Sequence, residues 1–405
     1  MPALSSVSLK PSRRGQLSPP SPIRKLEPSA RAAEQRGVKI YSLNIGQPDL
    51  RTAPGFLDGA RQEDGSVLAY GPSAGLYPLR AAMAAYYRSF GLTVDDQDVL
   101  VTTGGSEAVL FAMAAVADPG EEVLTTEPCY PNYKGFAVMA GLQLRTLPTS
   151  IEDGFALPQP EAFEAAIGPS TRAVVLCNPS NPTGAVYQTD ALRSLVEIAR
   201  RRGVFLIADE VYREFVYDGL QPSSLLQVPG AEDVAVVVDS MSKRLSACGA
   251  RVGCLLTRHE GLKDAFARFS QARLSPPVLG QRGALAAIPR LAAFLRDCIP
   301  EYERRRNLTL REVARIPSVF APRPKGAFYL MARLPVRSAD DFCRWLLEEF
   351  SSSGETVMLA PGTGFYASPG KGMNEVRIAY VLEEAALTRA LAILGEALER
   401  YPGRE

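Results

Sequence analysis

The chain has 405 residues, 46% hydrophobic and 22% charged, with 45 basic side chains against 44 acidic ones and a formal net charge of +1. That length accommodates two sizeable cores, the apolar content excludes a disordered chain, and the charge balance gives no footing for a nucleic-acid or acidic-membrane partner. His259 is the single histidine, so a Ser-His-Asp triad, a His-rich zinc site and histidine general-base chemistry lack their residues.

Residues 1–30 carry Pro11, Pro19, Pro20, Pro22 and Pro28 among serines and basic residues, a composition that predicts an extended or loosely held segment. A helix is expected over 29–36 and a strand over 38–43. In the following turn, Asn44-Ile-Gly-Gln-Pro-Asp49, Gly46 either exposes its amide to a ligand or simply lets the strand exit. Residues 69–80 form a loop with two glycines and two prolines that feeds a helix through Tyr87. Containing Tyr70, it reads as a binding or interface element. A strand over 99–103 runs into Gly104-Gly-Ser-Glu107, which opens a helix toward Ala117. The amides of Gly104, Gly105 and Ser106 fall where helix donors are unpaired, a ready anion site.

Strands are expected at 122–126, 143–147, 171–177, 204–209 and 234–238, alternating with helices near 133–140 and 190–201. This order predicts an α/β fold: a mostly parallel seven-stranded sheet between helices. Neither a glycine-rich dinucleotide fingerprint nor a P-loop follows the first strand. Three strand ends carry chemistry. Asn178-Pro-Ser-Asn-Pro-Thr-Gly184 is either a structural turn or a place from which Asn181 donates to a phenolic oxygen. Asp209-Glu-Val-Tyr212 places Asp209 at low exposure, which costs several kcal/mol unless it is paired. A protonated ring nitrogen would offset that cost; capping the turn is the alternative.

The third strand end is Asp239-Ser-Met-Ser-Lys-Arg-Leu-Ser-Ala-Cys-Gly-Ala-Arg-Val-Gly253. Lys243 is there a surface turn residue or an amine beside an anion site, the setting in which lysines form Schiff bases with carbonyl substrates or pyridoxal phosphate (PLP). Ser240 and Ser242 are candidate phosphate donors, and Arg251 offers a planar fork to the same oxygens.

His259 reads as solvent-facing. After a helix over 262–273, Arg273 stands beside Ser275-Pro-Pro277, either reaching across an interface or ending its helix favourably. Helices follow to about 288 and over 291–316. Strands at 326–330 and 375–381, with helices at 339–349 and 383–400, predict a smaller α+β domain joined by the N-terminal segment. The expected division is 1–65 (N-terminal segment of the small domain), 66–300 (large domain) and 301–405 (small C-terminal domain). Arg377 alternates with Val376 and Ile378, and is either solvent-facing or a carboxylate clamp. The six cysteines, at 129, 177, 248, 254, 298 and 343, show no paired metal spacing. With no signal peptide and no apolar run of membrane length, they are expected as free thiols in a cytoplasmic protein that binds no metal.

Taken in order, these motifs resemble the fold-type I PLP-dependent aminotransferases of classes I and II, and within them the bacterial aspartate aminotransferase-like proteins. The resemblance rests on Ser240-Met-Ser-Lys243 with Gly249 and Arg251, the Asn178 to Gly184 turn, Asp209 to Tyr212, Tyr70-Gly-Pro-Ser-Ala-Gly-Leu76 and Asn374-Glu-Val-Arg377. It implies that Lys243 carries the cofactor and moves the proton, Asp209 pairs with the pyridine nitrogen, and Asn181 and Tyr212 contact the phenolic oxygen. Tyr130 would stack on the ring. Gly105, Ser106, Ser240, Ser242 and Arg251 would hold phosphate, joined by Tyr70 of a second subunit in a homodimer. Arg377 would bind the substrate α-carboxylate, helped by Asn181 and the Gly46 amide.

The implied reaction is transamination between an L-amino acid, aspartate or glutamate favoured, and 2-oxoglutarate or oxaloacetate. Relatives that bind dicarboxylates through a lysine after the paired glycines have Ser106 in that place here, so Arg273 is the expected clamp for a distal carboxylate, in trans. Aromatic or prephenate transamination is the alternative, followed by a lyase or decarboxylase on the same scaffold.

Overall fold

The computed structural model describes residues 9–61 and 67–405. The first eight residues of the segment expected to be loosely held, and 62–66 around the expected 65/66 division, lie outside the described residues. The chain enters through β1 (Lys39–Ser42), and β2 (Val99–Thr102), β3 (Glu122–Glu127), β4 (Gln143–Pro148), β5 (Thr171–Cys177), β6 (Phe205–Asp209), β7 (Ala235–Ser240) and β8 (Gly253–Leu256) follow. β2 to β8 form one seven-stranded sheet in the order β2-β8-β7-β6-β5-β3-β4. Only β8 runs against its neighbours, β2 and β7.

That exception follows from the path of the connection. A parallel return needs a crossover of a dozen or more residues, usually a helix that traverses the sheet. The β7–β8 connection instead stays at one end of the sheet, so Lys243 and Arg251 remain at the carboxyl end of β7. The apolar runs are explained by burial on both faces. Val236, Val238, Val175 and Ile207 belong to one core, while Val237, Val174, Leu206 and Ala208 belong to the other. Each fully buried aliphatic side chain of this size contributes roughly 1.5–3 kcal/mol, so the strand ends that carry the site are anchored by two cores at once.

The smaller domain contains β9 (Tyr329–Arg333), β10 (Glu355–Met358), β11 (Ala360–Pro361) and β12 (Glu375–Ala379). β12 lies between β11 and β9, antiparallel to both, and β1 pairs in parallel with β10. The N-terminal and C-terminal parts of the chain therefore share this domain, and the α/β architecture expected from the sequence is the one observed. The expected 300/301 division falls within one continuous helix, Leu291–Val313. Helix Phe56–Arg61, within the segment assigned above to the small domain, packs on helix Val278–Ala287.

Residues 11–25 are not loosely held. Helix Arg13–Leu17 rests on helix Asn132–Ala140, with Arg14 Nη1 donating to the Met139 carbonyl at 3.3 Å. Asn44 Nδ2 donates to the Ile23 carbonyl at 3.1 Å, and Lys25 pairs with Asp340. Pro22 packs so closely on Gly364 that a Cβ there would fall 2.0 Å from the proline Cβ. The segment is built from helix Arg13–Leu17 and a turn at 22–26 rather than an extended run, and these contacts make it a strap between the two domains. All six cysteines are free. No helix among the described residues is long and apolar enough to cross a membrane.

Candidate active site

Ser240 ends β7 in extended geometry, and its Oγ accepts the Ser242 N–H at 3.2 Å, capping the short helix Met241–Arg244 that carries Lys243. Lys243 Nζ donates to the Gly46 carbonyl at 2.7 Å and lies 3.8 Å from Cys248 Sγ. The chain returns through Arg251, whose Nη1 donates to the Cys248 carbonyl at 2.9 Å and approaches Ser242 Oγ at 3.5 Å.

Register brings the Gly104 turn alongside, because Gly253 pairs with Thr102 on one side and Ser240 on the other. A Cβ on Gly104 would sit 2.3 Å from Arg251 Nη2, and one on Gly253 would sit 2.5 Å from the Gly104 carbonyl carbon. Only glycines let backbone, guanidinium and the start of helix Gly105–Val116 converge in this way. That helix has no side-chain cap at Gly104, which leaves its first amides to an anion beside Ser240, Ser242 and Arg251.

Beneath this cradle lies a buried ionic lattice. Arg244 Nη2 contacts Asp239 Oδ1 at 2.7 Å, Arg213 Nη2 contacts Glu214 Oε1 at 2.7 Å, and Tyr87 donates to Asp239 Oδ2 at 2.7 Å. These pairs compensate one another and fix the end of β7.

Two buried charges of the site are not compensated. Asp209, at the end of β6, accepts from Tyr133 Oη at 2.6 Å and from the Val211 N–H at 3.4 Å, and has no cationic partner among the described residues. Burial pushes its carboxyl up from 3.8 to about 6; the Tyr133 and Val211 hydrogen bonds oppose this rise, and nearby Asp239 adds to it. Arg377 on β12 is 1% exposed. Its Nη1 donates to Asn181 Oδ1 at 2.8 Å and its Nη2 to the Asn44 carbonyl at 2.5 Å. The guanidinium lies over the Tyr329 ring at 4.3 Å and the Phe365 ring at 4.9 Å. Its Nε has no partner, no carboxylate faces it among the described residues, and burial pushes the group below its ordinary value.

Gly46, Gly105, Ser106, Tyr130, Asn181, Asp209, Tyr212, Ser240, Ser242, Lys243, Arg251 and Arg377 all line one cavity of about 590 Å³. The Gly46 amide has no partner among the described residues, and a Cβ there would fall 1.7 Å from Tyr329 Oη. Tyr212 and Tyr329 hydroxyls are 2.8 Å apart. Tyr130 Oη accepts from Asn132 Nδ2 at 2.8 Å, and burial pushes its phenol up to about 12.

Two expectations, for Arg377 and His259, need correction. The solvent-facing alternative for Arg377 fails because β12 is buried along its whole length. Arg273, expected to act in trans, lies outside this chain's own cavity, with its Nη1 paired to Glu107 at 2.5 Å and its Nη2 donating to the Ser73 carbonyl at 2.9 Å. His259 is half-buried rather than solvent-facing, and its Nδ1 accepts the Leu262 N–H at 3.2 Å to cap helix Glu260–Arg273. Tyr70 is 83% exposed and lies outside the cavity lining.

Sequence reasoning missed Ser21, Ile23 and Arg24 of the strap, together with Phe136, Cys248 and Tyr329, all of which line the cavity. A proline-dense run announces an extended chain but not the surface it crosses. The Tyr329 contact with Gly46 is tertiary and leaves no local signal.

A buried carboxylate lacking a cation, a glycine-lined anion cradle with its own arginine, and a lysine between them are together complementary to a molecule with a cationic ring nitrogen, a phosphate and an aldehyde. PLP has all three, and the fold and cavity define a PLP-dependent enzyme. The chain belongs to the aminotransferase family of classes I and II, whose family model, Aminotransferase class I and II, matches residues 38–394; it is a PLP-dependent aminotransferase acting on small amino acids and 2-oxo acids.

Among its relatives is the aspartate/prephenate aminotransferase of Thermus thermophilus, 33% identical over 401 residues that cover 96% of this chain and 99% of that protein. Aromatic-amino-acid aminotransferase 2 of Thermococcus litoralis is 30% identical and covers 96% of this chain and 98% of itself. The solved structure of Thermus thermophilus aspartate aminotransferase with maleate superposes with a TM-score of 0.86 at 30% identity, covering 96% of this chain and 100% of that one.

Proposed function

We propose that this aminotransferase exchanges the amino group of L-aspartate or L-glutamate with 2-oxoglutarate or oxaloacetate, working in the cytoplasm as a homodimer. The observation that carries the reading is the charge of the cavity lining, where Arg24, Lys243, Arg251 and Arg377 face the single carboxylate of Asp209. With Arg251 set against the cofactor phosphate, Arg377 against the α-carboxylate and Lys243 on the cofactor itself, Arg24 is the lining cation left for a second substrate carboxylate.

PLP supplies the electron sink that makes the substrate Cα–H bond acidic. Lys243 Nζ would hold the cofactor aldehyde and would be the base that takes the substrate Cα proton. Asp209 holds the ring nitrogen protonated, the one partner that turns its costly burial into a favourable ion pair. Asn181 and Tyr212 donate to the phenolic oxygen, and Tyr130 covers the ring. Gly105, Ser106, Ser240, Ser242 and Arg251 hold the phosphate. Arg377 grips the α-carboxylate with its fork, aided by Asn181 and the Gly46 amide.

Val67, Leu68, Tyr70, Tyr77, Leu274 and Leu279 are exposed, and Gly71 lies against Val278, so the two stretches share one apolar face. A second copy covering that face would bring its Tyr70 to this cavity. Ile23, Val109 and Phe136 also line the cavity, an apolar wall that favours aromatic substrates or prephenate as the second reading.

The test is a half-reaction screen, one L-amino acid at a time, following conversion of the bound cofactor from aldehyde to amine. The proposal expects the highest kcat/KM for aspartate or glutamate. Preference for phenylalanine and tyrosine would establish the second reading instead, and release of ammonia or carbon dioxide without the amine form would overturn both.

A further inference from the structure

We infer that Arg24 is the group that selects substrates with a second acidic function, acting from the strap across the cavity. This rests on the dicarboxylate reading of the site and names the residue behind it. Among the lining cations, Lys243 faces the Gly46 carbonyl, Arg251 sits in the glycine cradle, and Arg377 is buried against Asn181. Arg24 alone remains without an assigned anion. Arg273, the other candidate, is held by Glu107 and the Ser73 carbonyl outside the cavity. Ser106 carries no charge.

The strap makes Arg24 more than a surface arginine. Its backbone is fixed on both sides: Pro22 against Gly364, the Ile23 carbonyl under Asn44 Nδ2 at 3.1 Å, and Lys25 on Asp340. A turn closes beneath it, with the Arg24 and Lys25 amides donating to the Ser21 carbonyl at 3.1 and 2.9 Å. Lys25 next to it is committed to Asp340, whereas the Arg24 side chain is exposed and makes no hydrogen bond or ion pair among the described residues. An anchored backbone carrying a free planar fork suits bidentate recognition of a carboxylate. Ile23 and Phe136 line the same cavity; substrate packed against them would exclude water and strengthen the contact.

The experiment compares wild-type holoenzyme with Arg24→Met and Arg24→Lys. Calorimetry measures binding of maleate, a dicarboxylate that carries no amino group, and half-reactions measure kcat/KM for L-aspartate against L-alanine. Arg24→Met should weaken maleate binding and lower the aspartate-to-alanine ratio by about 10–100-fold, the range of a charge-assisted hydrogen bond. Arg24→Lys, which keeps the charge and loses the fork, should recover part of both. A wild type that exchanges with aspartate, beside an Arg24→Met protein with the same maleate affinity and the same ratio, would overturn the role of Arg24 alone. A wild type that binds no maleate and prefers alanine to aspartate would overturn the dicarboxylate reading and this inference with it.

Discussion

Replacing Asp209 by asparagine preserves the shape of the side chain and removes its titration, so comparing the two proteins isolates one buried carboxyl. Without cofactor, burial holds that carboxyl at about 6, up from an ordinary 3.8. The folded chain then grips the proton more tightly than the unfolded chain. Below pH 3.8 both states are protonated and the residue adds no pH dependence. Between 3.8 and about 6 the unfolded chain ionises first, and the folded state loses stability as pH rises; above 6 the difference is constant. The interval corresponds to on the order of 3 kcal/mol. Urea unfolding of the two apoproteins from pH 4 to 7 should therefore show wild type losing roughly that much relative to Asp209→Asn. With PLP bound, a cationic ring nitrogen beside the carboxylate reverses the sign, and wild type becomes the more stable holoprotein at pH 7. Apoprotein curves that stay parallel from pH 4 to 7 would refute the claim that Asp209 is a buried charge awaiting a cation.

Lys243→Ala should lower turnover by about 10²–10⁴-fold and change the visible absorbance of the bound cofactor, measured on matched holoprotein samples. Gly46→Ala places a methyl 1.7 Å from Tyr329 Oη and should cost about 1–3 kcal/mol in chemical denaturation, with a raised KM because the displaced Tyr329 also supports Arg377. Asp218 accepts from Arg306 at 2.7 and 2.9 Å and from Arg323 at 2.9 Å, and these partners, Arg323 foremost, hold its carboxyl well below the usual range. Asp218→Asn should destabilise by about 1–2 kcal/mol at pH 7 after allowance for solvent. Because the folded carboxyl is the stronger acid, that penalty should shrink as pH falls below about 4 in the same denaturation assay.

What was legible in the chain follows from which signals are local. β5, β6 and β7 are short apolar runs ended by polar turns, and a strand buried on both faces leaves that mark wherever it occurs. Lys243, Asp209 and Asn181 stand directly after such runs, so finding the strands found the residues. β10 was not anticipated, because four residues after Ser351-Ser-Ser-Gly354 carry too little pattern to separate a strand from a loop. Arg377 could not be placed by alternation, since on a strand covered on both sides the position opposite an apolar neighbour is also interior. The pairing of Arg273 was not legible for a different reason: its partner Glu107 lies 166 residues away, and nothing near the Ser-Pro-Pro turn encodes it.

The buried charges themselves show how the protein separates stability from function. Arg213, Arg244, Glu214 and Asp239 lie under the β7 end and balance one another's charge; breaking such a pair costs about 3–5 kcal/mol because a charge is left stranded. Asp209 and Arg377 are buried as deeply, yet each lacks its counter-ion. Their cost is borne by the empty protein and relieved by what binds, so their interaction energy is available to ligand rather than to folding. The compensated lattice holds still the strand end from which Lys243 projects, and the uncompensated pair determines what may occupy the space in front of it. A guanidinium without a carboxylate and a carboxylate without a cation, facing one cavity, therefore describe the missing molecules by their charges: a cation beside Asp209 and an anion against Arg377.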